Sequence, residues 1–187
     1  MPAPRPVSYP TLSRLGRGLS WLLTVALTLT VMFACVVLAC GLVGAGLWLA
    51  PGRAILSAAP PDMPGVVPFR ALPCATRWAY VATFVIDTAP VVLILAEARA
   101  CARDYAQGIA FHAAGPDRMR RIAVGLAAFA VAPALGHGLV LLAGHGVDLD
   151  WLHASSLQAL VLAACLLVLA EVGRIGHAIE RDRDGFV

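Results

Sequence analysis

The sequence contains no lysine, and charged residues of either sign make up only 13% of its 187 positions. A soluble domain carries about a quarter, so there is too little charge to solvate a globular surface of this size. Aromatic residues are also sparse, at 7%. A hydrophobic content of 60% excludes a disordered chain. The net charge of +3 is small and the arginines are scattered, which argues against a nucleic-acid-binding face. Five cysteines lie without pairing spacing, so a disulfide-stapled secreted fold is excluded as well.

Chemical motifs are missing too. There is no phosphate-cradling glycine loop and no pair of CxxC motifs. Ser155 and Ser156 have His153 nearby, but no orienting acid or oxyanion hole accompanies them. His145, Asp148, Asp150 and His153 are zinc-type ligands, yet they lack helical ligand spacing. Asp148 or Asp150 reads better as a cap of the following helix. His112 and His177 read as solvated singletons. No catalytic residue, cofactor or metal site is expected, and the cysteines read as small packing residues.

What the chain does have is long apolar runs. A spanning helix needs about 20 apolar residues to cross roughly 30 Å of hydrocarbon. Leu19–Ala50 is 32 residues without a charge, and Trp78–Ala96 is interrupted only by Asp87. Ile122–Ala143 and Ala154–Ala170 give two more runs. The predicted fold is therefore all-α: one polytopic membrane domain of four helices, with spans near 20–48, 78–96, 122–143 and 154–172. Trp21, Trp48, Trp78 and Trp151 fall at span ends, where amphipathic rings prefer the interface. The first run is twice the length of a signal-peptide core. Apolar residues also continue past Cys35 and Cys40, so lipoprotein processing is not expected.

Arginine placement sets the orientation. Eleven of the 14 lie in the N-terminal segment, the 97–121 loop and the 173–187 tail. Only Arg53, Arg70 and Arg77 lie elsewhere. By the positive-inside rule both termini and the 97–121 loop are cytoplasmic. The outer loop 51–77 holds six prolines, which predicts irregular backbone with at most a short helical turn near Ile55. The second helix is expected to continue below the membrane to a cap at Gly108. The third restarts at Gly115-Pro116-Asp117, and the fourth runs on through Glu171 and Arg174 towards Glu180.

The run Asp104-Tyr105-Ala106-Gln107-Gly108-Ile109-Ala110-Phe111, followed by Arg118-Met119-Arg120-Arg121-Ile122, resembles a motif of the domain of unknown function 2975 family of small bacterial four-helix membrane proteins. The tail Leu169-Ala170-Glu171-Val172, with Gly176, Ile179, Asp184 and Phe186-Val187, resembles that family's closing motif. Ala123 and Gly173 depart from its pattern. The resemblance covers the second half of the chain. It implies a bacterial inner-membrane protein without an established activity and, as partner, a small helix-turn-helix regulator.

Asp87 stands near the middle of its span and costs about 2.5–3.5 kcal/mol there on insertion scales. It should therefore face another helix and have a partner. Thr83, His137, Thr24, Thr28 and Thr30 are the candidates, with His137 offset by roughly 5 Å in depth. A protonatable switch and a plain interhelical hydrogen bond are both open readings. Pro90, Pro133, Gly136-His137-Gly138 and the Gly41, Gly44, Ala45, Gly46 cluster read as kinks or close-packing positions.

Two functional readings lead, with a bare packing role within a larger complex as the third. In the first, the protein is non-enzymatic and docks a cytoplasmic regulator through Gln107, Gly108, Phe111, Arg118, Arg120, Arg121, Gly176 and Phe186. The bilayer itself, and for some faces a second copy, are the other partners. In the second, it is a small proton-coupled transporter or channel component using Asp87.

Overall fold

The computed structural model describes residues 10–50, 53–59, 61–107, 115–144 and 154–184. Four long helices dominate: α1 (Pro10–Val43), α2 (Cys74–Ala106), α3 (Gly115–Leu142) and α4 (Ala154–Asp184). Each contains a window long and apolar enough to cross a membrane. Between α1 and α2 lie strands β1 (Leu47–Ala50), β2 (Arg53–Leu56) and β3 (Val67–Pro68), then a 3-10 turn at Phe69–Ala71.

The helices pack in chain order, α1 on α2, α2 on α3 and α3 on α4. Among the described residues α1 and α4 make no extensive contact, so the four form a row rather than a closed bundle. The interfaces are built from small residues. Ala102, Ala123, Ala132, Ala163 and Ala170 are buried, while Leu, Val, Phe and Trp side chains of α1 and α4 stand exposed. This pattern is the inverse of a water-soluble core and is what helix association in lipid favours. No segment of the apolar window of α1 is buried inside the protein, and a helix apolar all round needs an apolar surrounding.

Three sets of contacts fix the registers. Along α1 and α2, an added Cβ at Gly16 would lie 2.5 Å from the Ala106 nitrogen. Arg99 Nε donates to Thr24 Oγ1 at 2.8 Å, and Gly41 faces Val81. Along α2 and α3, Thr83 meets Gly136, Ile94 covers Gly125 and Asp104 pairs with Arg118. Along α3 and α4, Pro116 sits against Gly173, and Arg120 is near enough to Glu171 to attract its carboxylate. In these registers Arg99, Arg121 and Glu171 come to about one level, near where the uncharged stretches of α2, α3 and α4 end, and Arg17 lies roughly 9 Å further out, level with Tyr105. At the far end Trp78 stands above Trp21 by roughly 35 Å along the α1–α2 pair, taking the helical rise. Both rings are exposed.

Two expectations are corrected. The first helix ends at Val43, not near Trp48. Gly44 and Gly46 adopt φ of 71° and 72°, a left-handed conformation that only glycine takes freely. The Gly44 N–H still donates to Cys40 C=O at 2.8 Å, and the chain then leaves the helix as in an αL cap. These glycines are therefore turn-formers, not part of a packing stripe.

The following segment is a small sheet of order β2-β1-β3, so the fold is predominantly rather than wholly helical. Leu47 pairs with Leu56 and Trp48 with Ile55 in antiparallel register. Ile55 is a strand residue, not part of a helical turn. The prolines do not prevent this: Pro51 falls between β1 and β2, and Pro68 lies on an edge strand where no ladder donor is required. Trp48 Nε1 donates to Ser57 C=O at 3.0 Å. Beneath the sheet, Phe69 is 1% exposed and meets Tyr80 edge-on at 6.3 Å.

Candidate functional site: a polar seam and the charged end of the helices

On α2, Thr76, Thr83, Asp87, Pro90, Ile94, Glu97, Cys101 and Asp104 recur at spacings of three, four or seven, which places them on one helical face. Their contacts show that this face meets α3. Thr76 Oγ1 donates to Ala143 C=O at 3.5 Å and Thr83 Oγ1 to Gly136 C=O at 3.2 Å. Glu97 accepts from Arg121 at 3.1 Å and Asp104 from Arg118 at 2.6 Å. Glycine and alanine on α3 let α2 come close enough for hydroxyls to reach backbone carbonyls.

Asp87 lies within this seam, level with Ala132 and Pro133. Its Oδ1 is buried and has no hydrogen-bond partner among the described residues. The partners expected from the sequence are engaged elsewhere. Thr83 also donates to Ala79 C=O. Thr28 and Thr30 donate to the carbonyls four residues back, as does Thr24, which in turn accepts from Arg99. With Thr83 opposite Gly136, His137 lies roughly 7 Å from the level of Asp87 along the helix axis, and one residue around the helix from the facing side. Pro133 supplies no N–H to the Phe129 carbonyl, and Pro90 none to Ile86. The middle of the seam is thus where two helix N–H donors are missing beside an acid.

At the charged end, the Arg118–Asp104 pair is the better enclosed, each side chain 22% exposed. Arg121 is 58% exposed against its partner Glu97 at 15%. Cys101 lies between these pairs, beyond the apolar stretch of α2. Burial raises its thiol pKa, and the Arg118 guanidinium only partly offsets this. The group is therefore a poor thiolate nucleophile.

The proposed docking residues fall in different places. Gln107 is the exposed C-cap of α2, its N–H directed at the Arg103, Asp104 and Tyr105 carbonyls. Arg118 and Arg121 are tied to α2, Arg120 is exposed, and Gly176 is open on α4. Gly108, Phe111 and Phe186 lie outside the described residues, as do His112, His145, Asp148, Asp150, Trp151 and His153.

Two features escaped the sequence reading. One is the Arg99–Thr24 bond. The other is a stripe on α4: Val161, Cys165, Val168, Val172, Ile175 and Ile179 are all exposed and spaced four, three, four, three, four. Ser156, Ala159, Ala163 and Ala170 form the buried face. The apolar stripe continues past Glu171 into the charged end of the helix. Its regular spacing was the available signal.

The fold and this distribution of polar groups define a class: a chain of four helices able to span a membrane, as a multi-pass membrane protein requires. No family model, curated protein or solved structure matches the chain.

Proposed function

We propose that the protein is a non-enzymatic multi-pass protein of a bacterial inner membrane, with both termini cytoplasmic, that docks a cytoplasmic regulator on the projecting end of α4. The observation that carries this reading is the stripe Val172, Ile175 and Ile179, 52–64% exposed. It carries the apolar face of α4 on into the stretch where charges resume after Glu171. An apolar face at helical spacing flanked by Glu171 and Arg174 is the form of a helix-in-groove contact. The ion pairs Arg118–Asp104 and Arg121–Glu97 make the adjoining ends of α2 and α3 a firm base for it. A small helix-turn-helix protein as the regulator rests on the likeness to the domain of unknown function 2975 family.

Affinity purification from native membranes tests the reading. The intact chain should recover a stoichiometric partner. A chain carrying Phe111→Ala and lacking residues 176–187 should not. Equal recovery by both, or by neither, contradicts it.

The buried Oδ1 of Asp87, without a partner among the described residues, supports the alternative, a small proton-coupled carrier or channel component. Proton flux in proteoliposomes that Asp87→Asn abolishes would favour it over docking. Absence of flux from the intact chain would remove it.

A further inference from the structure

Where the apolar stretches of α2 and α3 give way to charge, an open groove of about 430 Å³ is lined by Leu93, Asp117, Arg120, Arg121 and Val124. Four of these residues are on α3 at positions i, i+3, i+4 and i+7, so they form one ladder along the helix. The ladder is ordered by polarity. Asp117 is outermost, the two guanidiniums come next, and Val124 with Leu93 of α2 lies towards the apolar stretch. Successive levels are roughly 5 Å apart.

The polar groups of the groove are largely unspent. Arg120 and Asp117 make no ion pair among the described residues, and Arg121 gives one nitrogen to Glu97 while staying 58% exposed. The lining carries two guanidiniums and one carboxylate, the acid outermost, with Arg121 shared with Glu97. Positive and negative groups separated in this order along the groove match a headgroup with an outer cation and an inner phosphate.

We propose that this groove binds a phospholipid whose headgroup carries both a phosphate and a primary ammonium. The phosphate sits between Arg120 and Arg121, whose planar forks suit its oxygens. The ammonium is directed outward onto the Asp117 carboxylate. The first part of an acyl chain lies along Val124 and Leu93, 54% and 40% exposed. The order of side chains on α3 is thus the order of groups in the lipid, from water inward. The assignment rests on the membrane-spanning reading and not on the docking of a regulator.

Native mass spectrometry of the full chain, released from detergent with phosphatidylethanolamine, phosphatidylglycerol or phosphatidylcholine of matched acyl chains, tests it. Phosphatidylethanolamine should be retained over both others. Arg120→Gln with Arg121→Gln should weaken retention by roughly 30-fold, from about fivefold per arginine at a membrane surface. Asp117→Asn should reduce the preference over phosphatidylcholine while leaving binding itself, and Arg103→Gln, outside the groove, should change nothing. Soluble phosphoethanolamine should not compete at lipid concentrations; if it does, the ligand is the free headgroup and the lipid assignment fails. Equal retention of the three lipids by the intact chain, preference for phosphatidylglycerol, or retention untouched by the double glutamine variant would each overturn the proposal. The comparison of lipids on the intact chain decides the matter even if a variant does not fold. A chain that stays soluble without detergent would contradict the membrane reading instead.

Discussion

Thr83 and Gly136 make the tightest meeting of side chain and backbone between α2 and α3. The Thr83 hydroxyl is held by the Gly136 carbonyl, and a Cβ added at Gly136 would overlap the Thr83 methyl. A β-branched side chain has little rotamer freedom in a helix, so Gly136→Ala should cost about 1–3 kcal/mol of stability in detergent, measured by thermal unfolding. Thr83→Ser removes the methyl and keeps the hydroxyl. Adding it to Gly136→Ala should restore most of the loss; no restoration would mean that the helices separate instead.

Asp87 gives the opposite expectation. Its buried Oδ1 lacks a partner among the described residues, and an orphaned polar group costs on the order of 1–3 kcal/mol. Asp87→Leu should therefore leave the unfolding midpoint unchanged or raise it. A lowered midpoint would reveal a stabilising bond at this acid. Electrostatic pairs should differ in the same way. A double-mutant cycle on Arg118 and Asp104, both largely enclosed, should give a coupling of about 1 kcal/mol or more. The cycle on Arg174 and Glu171, exposed and one turn apart, should give a smaller coupling that salt screens away.

At the level of elements, much was legible from hydropathy. The apolar runs marked four helices, and Gly115-Pro116-Asp117 marked the start of α3 because proline and an acid suit a first helical turn. The hairpin was not legible. An apolar run leading from helix to strand does not announce the change, and Gly44 and Gly46 look like packing glycines until their left-handed backbone is known. Asp87 was conspicuous as the lone charge of its run, yet its neighbours were not. Which side chains meet depends on helix register, set here by close contacts at Gly41, Gly125 and Gly136 that leave no one-dimensional signature. The α4 stripe was readable in principle from its spacing, but it runs on past Glu171 into a stretch whose charges mark it as polar by composition.

Register itself can be measured. In a background without native cysteines, Gly41→Cys with Val81→Cys should form a disulfide on oxidation, since an added Cβ at 41 lies 3.3 Å from the Val81 side chain. Gly41→Cys with Val85→Cys, one turn further along, should not. The reverse result would shift α1 by a turn.

Across the whole molecule, the antiparallel registers gather the charged ends of four helices on one side. The lower ends of α2, α3 and α4 then share one face: Gln107, Asp117 with the arginines of α3, and Ile179 all belong to it. The opposite face carries the sheet, Asp62 and Arg70. A row of four helices, with exposed apolar side chains along α1 and α4, leaves lipid or further protein to cover both outer helices. In the proposed orientation the arginine-rich face is cytoplasmic, and the proposed regulator and phospholipid contacts both depend on that face being common to α2, α3 and α4.

Substituted-cysteine labelling in intact cells and inverted vesicles, again without native cysteines, tests this arrangement most directly. Gln107→Cys and Ile179→Cys should react with a membrane-impermeant maleimide only in inverted vesicles, and Asp62→Cys only in intact cells. Reaction of Gln107→Cys and Ile179→Cys from opposite sides would contradict the four-span arrangement and the docking face with it.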